Sequence, residues 1–238
     1  MDGGTQPGAG RRGRRVGAGL PGLARHAVPA RVDGEPARAC VEWPGTRENV
    51  TVAGDTPAPG TGDIPAAVGA ASELVTVLAE DGRPVGVAPR AEVRRRRLLH
   101  AATAVAVRRG DGRIYVHRRT PTKDIYPGAY DCWAGGVLTH GERPEIGAVR
   151  ELAEELGIRG AVLRPLTVVR WADDRAQAVY HVFETTWDGP IIHQPEEVAW
   201  GDWWTLPMLA EQLARPDFPF VPDGRYLLEV TGLLPPLG

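Results

Sequence analysis

Hydrophobic positions are distributed unevenly along this chain. Residues 1–70 are dominated by Gly, Pro, Ala and Arg, and neither strand nor helix periodicity is sustained there. Such a stretch buries too little apolar surface to offset the entropy of ordering it. Residues 1–70 are therefore expected to be a disordered extension without chemistry of its own. The basic run Arg11-Arg12-Gly13-Arg14-Arg15 is not followed by a continuous apolar core, so a secretory signal is not expected.

From about Ser72 the texture changes. Leu74–Leu78 and Val85–Val87 flank Asp81-Gly82 and predict a strand, a tight turn and a second strand. Ala101–Val107 and Ile114–His117 predict another pair across Gly110-Asp111-Gly112. Val162–Trp171 and Ala178–Trp187 read as two further strands, and Leu206–Leu213 and Tyr226–Val230 as helices. Between them, Val149, Leu152 and Leu156 recur at helical spacing. That helix should open near Pro144, which tolerates a first turn, and close near Gly157, which accepts a left-handed C-terminal position. Strands outnumber helices. The expected domain spans residues 71–238, with a core at about 98–230, as an α/β (α+β) fold with helices on the faces of a mixed sheet.

Composition narrows the function classes. A formal net charge of −2 gives no general attraction to nucleic-acid polymers or anionic membranes. No apolar run approaches the roughly 18–20 residues of a membrane span. Cys40 and Cys132 form no CxxC pair, which argues against a disulfide framework or zinc site and suits a cytoplasmic setting. Basic residues are nearly all Arg, and Lys123 is the only lysine.

The chemistry is concentrated around the central helix. Gly136-Val137-Leu138-Thr139-His140-Gly141-Glu142 is followed by Arg150-Glu151-Leu152-Ala153-Glu154-Glu155-Leu156-Gly157-Ile158. Glu151, Glu154 and Glu155 fall on one region of the helix surface, where they repel one another. A divalent cation relieves that repulsion, and oxygen-rich sites suit Mg²⁺ or Mn²⁺. Ala134-Gly135-Gly136 lets backbone approach a metal or phosphate. Glu142 is placed to pair with Arg150 and orient the ligands. Arg118, Arg119 and Lys123 are candidate phosphate binders. His100 reads as a structural histidine. Trp200, Trp203 and Trp204 read as packing or as a stacking platform.

This glycine, Glu142 and Arg150–Ile158 pattern resembles the Nudix box at every position, which implies a Nudix-type α/β/α sandwich. The resemblance implies a Mg²⁺-dependent hydrolase of a nucleoside diphosphate linked to another group, or of a similar organic diphosphate. It assigns metal binding to Gly136, Glu151, Glu154 and Glu155, and catalysis to Glu154, Glu155, Glu142 and Arg150. The general base is left among the helix glutamates, Glu196 and Glu197. The expected partner is a small diphosphate, with no nucleic-acid polymer and no membrane, and a homodimer is left open. Gly82–Gly86, Leu99-His100, Arg118-Arg119, Lys123-Asp124 and Tyr126–Asp131 extend the likeness to the branch containing isopentenyl-diphosphate isomerase and its hydrolase-like relatives. Where that isomerase carries cysteine and histidine, this chain has Gly135 and Val137, and an isomerase metal histidine would fall near Val93. Hydrolysis is thus expected ahead of isomerisation or of ligand binding without catalysis.

Overall fold

The computed structural model describes residues 71–234 together with the backbone of Ala39 and Cys40. Its strands are β1 (Ala39–Cys40), β2 (Leu74–Leu78), β3 (Pro84–Pro89), β4 (His100–Arg108), β5 (Ile114–Arg119), β6 (Tyr130–Asp131), β7 (Trp133–Ala134), β8 (Arg164–Ala172), β9 (Gln177–Thr186) and β10 (Val198–Trp204). Its helices are α1 (Arg90–Arg96), α2 (Pro144–Leu156), α3 (Leu206–Leu213) and α4 (Pro222–Thr231). Apart from β1, which pairs with β8, the expectation for residues 1–70 falls outside the described residues.

Strand β4 organises the sheet. It runs parallel to β9 from His100 opposite Ala178 to Arg108 opposite Thr186. Its remaining partners are antiparallel: β7 beside Val105–Ala106, β2 at His100 and β5 at Arg108. β10 extends the sheet by pairing with β5.

The continuous apolar run in β4 follows from burial on both faces. Ala104 and Ala106 join Val182, Leu209, Tyr226, Leu227 and others on the face covered by α3 and α4. Val105 and Val107 face the other way, where Ala148, Leu152, Leu156, Ile158 and Phe183 form the core beneath α2. The result is the expected sandwich, with a mixed sheet between helices. Burying side chains such as Leu152 and Leu156 contributes about 1.5–3 kcal/mol each.

Helix α2 keeps the boundaries marked by its proline and glycine. Gly157 adopts φ 68°, and the Ile158 N–H closes the last turn onto the Leu152 carbonyl at 3.0 Å. The inner stripe is shifted from the expected one. Ala148, Leu152 and Leu156 are buried, whereas Val149 packs at the margin. Helix α1 is not foreseen by the apolar pattern, because Val93 is its only buried residue.

Candidate active site

The loop before α2 and the first turns of α2 are locked together by one guanidinium. Arg150 donates from Nε and Nη2 to the two oxygens of Glu142, at 2.9 and 3.1 Å. Its Nη1 donates to Glu151 at 2.9 Å and Glu154 at 3.1 Å. Glu142 also accepts the Thr139 N–H at 3.0 Å. Burial works against the Glu142 charge, but Arg150 and the Thr139 N–H outweigh it and hold the carboxyl below its usual range. Glu142 and Arg150 are therefore a clamp that fixes the loop to the helix.

The three helix carboxylates do not share one environment. Glu154 is half exposed and turned to Arg150. Glu151 is largely buried beside Gly136, where any Cβ would collide with its carboxylate. Glu155 is buried and accepts the Gly135 N–H at 3.2 Å. A Cβ at Gly135 would strike the Thr103 carbonyl. The glycine pair thus lets β4, the loop and two carboxylates meet without intervening side chains.

Burial and then the Glu151 charge push Glu155 up to about 7, against the pull of Lys123 and Arg119. Burial also raises Glu151, despite Arg150. Two buried carboxylates in this condition favour a cation between them and the backbone. Among the described residues no set of three Asp, Glu, His or Cys side chains converges as a complete metal cage. The donor set still fits Mg²⁺, which is usually held by one or two carboxylates with water and substrate phosphates completing its shell. Glu151 and Glu155 fit that role better than Glu154. The Gly136 carbonyl already accepts the Thr103 N–H at 2.9 Å, leaving its second lone pair.

A cavity of about 100 Å³ lies against Gly135 and Gly136. Arg119 and Lys123 line it, as do Arg90 and Arg94 from α1. Lys123 forms an ion pair with Glu197, and burial, aided by Arg119, lowers its ammonium to about 8. Arg119 donates to the Ile125 carbonyl at 3.2 and 2.9 Å. Arg118 corrects the sequence-based grouping. Strand alternation sends it to the opposite face of β5, where it donates to the Gly128 carbonyl and lies 5.7 Å from the Tyr130 ring centroid.

The tryptophans resolve as packing, and the histidine as a buried group on the cavity wall. His100 is buried with Nδ1 at 2.8 Å from the Leu98 carbonyl, which requires Nδ1 to carry the proton. Burial lowers its pKa to about 4. Trp203 packs edge-on against Tyr115, while Trp200 and Trp204 join Tyr130 and Phe218 in an aromatic cluster. None of the three tryptophans lines the cavity. Arg90 and Arg94 were missed among the arginines, although their i, i+4 spacing beside Val93 was a usable signal.

The NUDIX domain family profile matches residues 98–224, more than half of the chain. The chain belongs to the Nudix family. An uncharacterised Nudix hydrolase, orf19, of Rhodococcus erythropolis is 46% identical over 168 residues, covering 66% of this chain and 91% of its own. Another uncharacterised Nudix hydrolase, from Pseudomonas aeruginosa, is 37% identical over 159 residues, covering 67% and 93%. The crystal structure of DR0079 from Deinococcus radiodurans has a TM-score of 0.56 and 25% identity, covering 67% of this chain and 98% of that one. Nudix hydrolases act on pyrophosphate bonds, so the Nudix domain here is an enzyme of that type; members of the family generally use divalent metal ions. The residues clamped by Arg150 and those facing the glycine pair all lie inside the matched segment.

Proposed function

We propose that this Nudix hydrolase cleaves the diphosphate linkage of a nucleoside diphosphate joined to another group, or a similar organic diphosphate, with Mg²⁺ or Mn²⁺. The observation that carries this reading is the buried Glu151–Glu155 pair against Gly135–Gly136, at the edge of a cavity lined by Arg and Lys. When bound, the cation would polarise phosphate oxygens and lower the pKa of a water.

The chain's own residues then have separate tasks. Glu151 and Glu155 would hold the cation, with the Gly136 carbonyl. The Glu142–Arg150 clamp keeps the glycine loop and helix in register and ties Glu154 to the same guanidinium. Arg119 and Lys123 would neutralise phosphate charge. Water oxygen would bond to one phosphorus as the bridging P–O bond breaks, its electron pair leaving on the second phosphate. The water proton would pass to a carboxylate: a helix glutamate, or Glu197 once Lys123 turns to phosphate.

Cys132 gives no support to isomerase chemistry. It is a free, buried thiol in the apolar core, it does not line the cavity, and burial raises its pKa well above the usual value. A free buried cysteine suits the cytoplasmic setting that forms part of this reading. No described helix is long and apolar enough to cross a membrane.

The test is a product assay across nucleotide sugars, dinucleotides, coenzyme diphosphates and isoprenoid diphosphates, with Mg²⁺ and with chelator. Cleavage of at least one substrate only with the cation is expected. Tight binding without cleavage of any would replace this reading with a ligand-binding Nudix domain.

A further inference from the structure

Helix α1 contributes two cations to the cavity that the roles above do not use. Arg90 and Arg94 are four residues apart, so both side chains leave the same face of α1. Both line the cavity together with Arg119 and Lys123, whereas Arg95 and Arg96 of the same helix are exposed. Lys123 is already paired with Glu197, and Arg119 feels the charges of Asp131 and Asp223 on the same wall, so Arg90 and Arg94 are the two cations of the lining left short of counter-charge.

Their existing partners are weak. Arg94 meets Asp124 at 3.6 Å, and that carboxylate is mostly exposed. Arg94 Nε is buried and has no hydrogen-bond partner among the described residues. Arg90 meets Glu73 at 3.7 Å, beyond ordinary hydrogen-bonding distance. Burial weakens the Arg94 charge even against Asp124, and Arg90 adds to that effect.

The cavity also holds an unpartnered hydroxyl. Thr103 is 1% exposed, lines the cavity, and its Oγ1 has no hydrogen-bond partner among the described residues. A native protein rarely leaves such a group unsatisfied, and doing so costs about 1–3 kcal/mol. The carboxyls on the cavity wall spend their hydrogen bonds on neutral groups rather than on Arg90 or Arg94. Asp131 Oδ1 accepts the Cys132 and Trp133 N–H groups. Asp223 accepts the Tyr180 hydroxyl and the Gly224 N–H.

We infer that Arg90 and Arg94, with Thr103 Oγ1, bind phosphate oxygens inside this cavity, making it a pocket for a polyanion. The inference rests on the diphosphate-hydrolase reading for its substrate, yet it makes a separate claim about where the phosphates lie. The diphosphate reaches past Arg119 and Lys123 toward α1, so phosphate charge fills the cavity. An apolar tail placed there would leave Arg94 Nε and Thr103 Oγ1 without a hydrogen-bond partner.

Inorganic pyrophosphate is the probe, titrated calorimetrically into the full chain without metal, so that binding is read apart from turnover. Arg94→Ala and Arg90→Ala should each weaken pyrophosphate binding roughly tenfold or more, as expected for losing a charge-assisted contact to phosphate. Arg94→Lys should recover part of the loss and guards against misfolding of the alanine variant. Thr103→Val should weaken binding by a smaller factor. Arg95→Ala, on the exposed face of α1, should leave it unchanged. The inference is overturned by a wild-type chain that does not bind pyrophosphate, by Arg90 and Arg94 variants that bind it as tightly, or by equal loss in the Arg95 variant. Pyrophosphate binding that depends on Arg94, in a chain that cleaves no diphosphate, would uphold the pocket and remove the hydrolase reading alone.

Discussion

Replacing Glu155 with Gln should make the metal-free protein more stable while nearly abolishing turnover. The carboxyl is buried, and its pKa rises from 4.5 to about 7 through burial and then the charge of Glu151. Gln keeps an oxygen to accept the Gly135 N–H and removes the charge. Below the unfolded-state pKa both states of the wild type are protonated, so Glu155 costs nothing there. As pH rises through the window from 4.5 to about 7, the unfolded chain ionises first and stability is lost. Above that window the cost reaches about 3 kcal/mol, at about 1.4 kcal/mol per pKa unit. Urea denaturation with chelator should therefore show the two proteins level near pH 4 and the variant ahead by about 2–3 kcal/mol at pH 8. Adding Mg²⁺ should narrow the gap by stabilising only the wild type. The same substitution should lower kcat by at least about 10²-fold, through loss of charge at the cation. A variant less stable than wild type at pH 8, with near-normal turnover, would refute the assignment of Glu155 as a strained carboxylate kept for function.

Three other substitutions separate packing from chemistry. Gly136→Ala places a Cβ against the Glu151 carboxylate and should cut kcat by about tenfold or more, with the Glu142–Arg150 clamp intact; turnover within twofold of wild type would contradict that packing. Leu152→Ala empties a fully buried site between α2 and the sheet and should cost about 2–5 kcal/mol in urea denaturation. Cys132→Ala should leave diphosphate hydrolysis within about twofold of wild type, because the thiol lies in the core away from the cavity; a collapse of kcat without loss of fold would revive cysteine chemistry.

The parts of the fold legible in the sequence are those with strong local signals. Pro144 and Gly157 bracket α2, and the Gly82 and Gly112 turns separate paired strands. The apolar run of β4 marks a strand buried on both faces. Helix α1 escapes because a single buried valine makes no periodic stripe. Strands β6 and β7 escape because two residues carry no alternation. At the site, helical spacing brings Glu151, Glu154 and Glu155 near one another, but only tertiary packing decides that Glu155 is buried and Glu154 faces out. Arg118 and Arg119 are neighbours in sequence, and strand alternation gives just Arg119 to the cavity. Arg90 and Arg94 are masked by an arginine-rich composition, and their i, i+4 spacing beside Val93 is the one local signal that sets them apart. The box alone does not name the group beyond the diphosphate.

The central claim is that water attacks phosphorus at this site. Reaction of a cleaved diphosphate in heavy-oxygen water, followed by phosphorus NMR, reads that event directly. The account predicts Mg²⁺-dependent cleavage with one solvent oxygen in one of the two phosphate products, and loss of that signal in the Glu155→Gln variant. Diphosphates that emerge intact or isomerised, with no solvent oxygen incorporated, would contradict it.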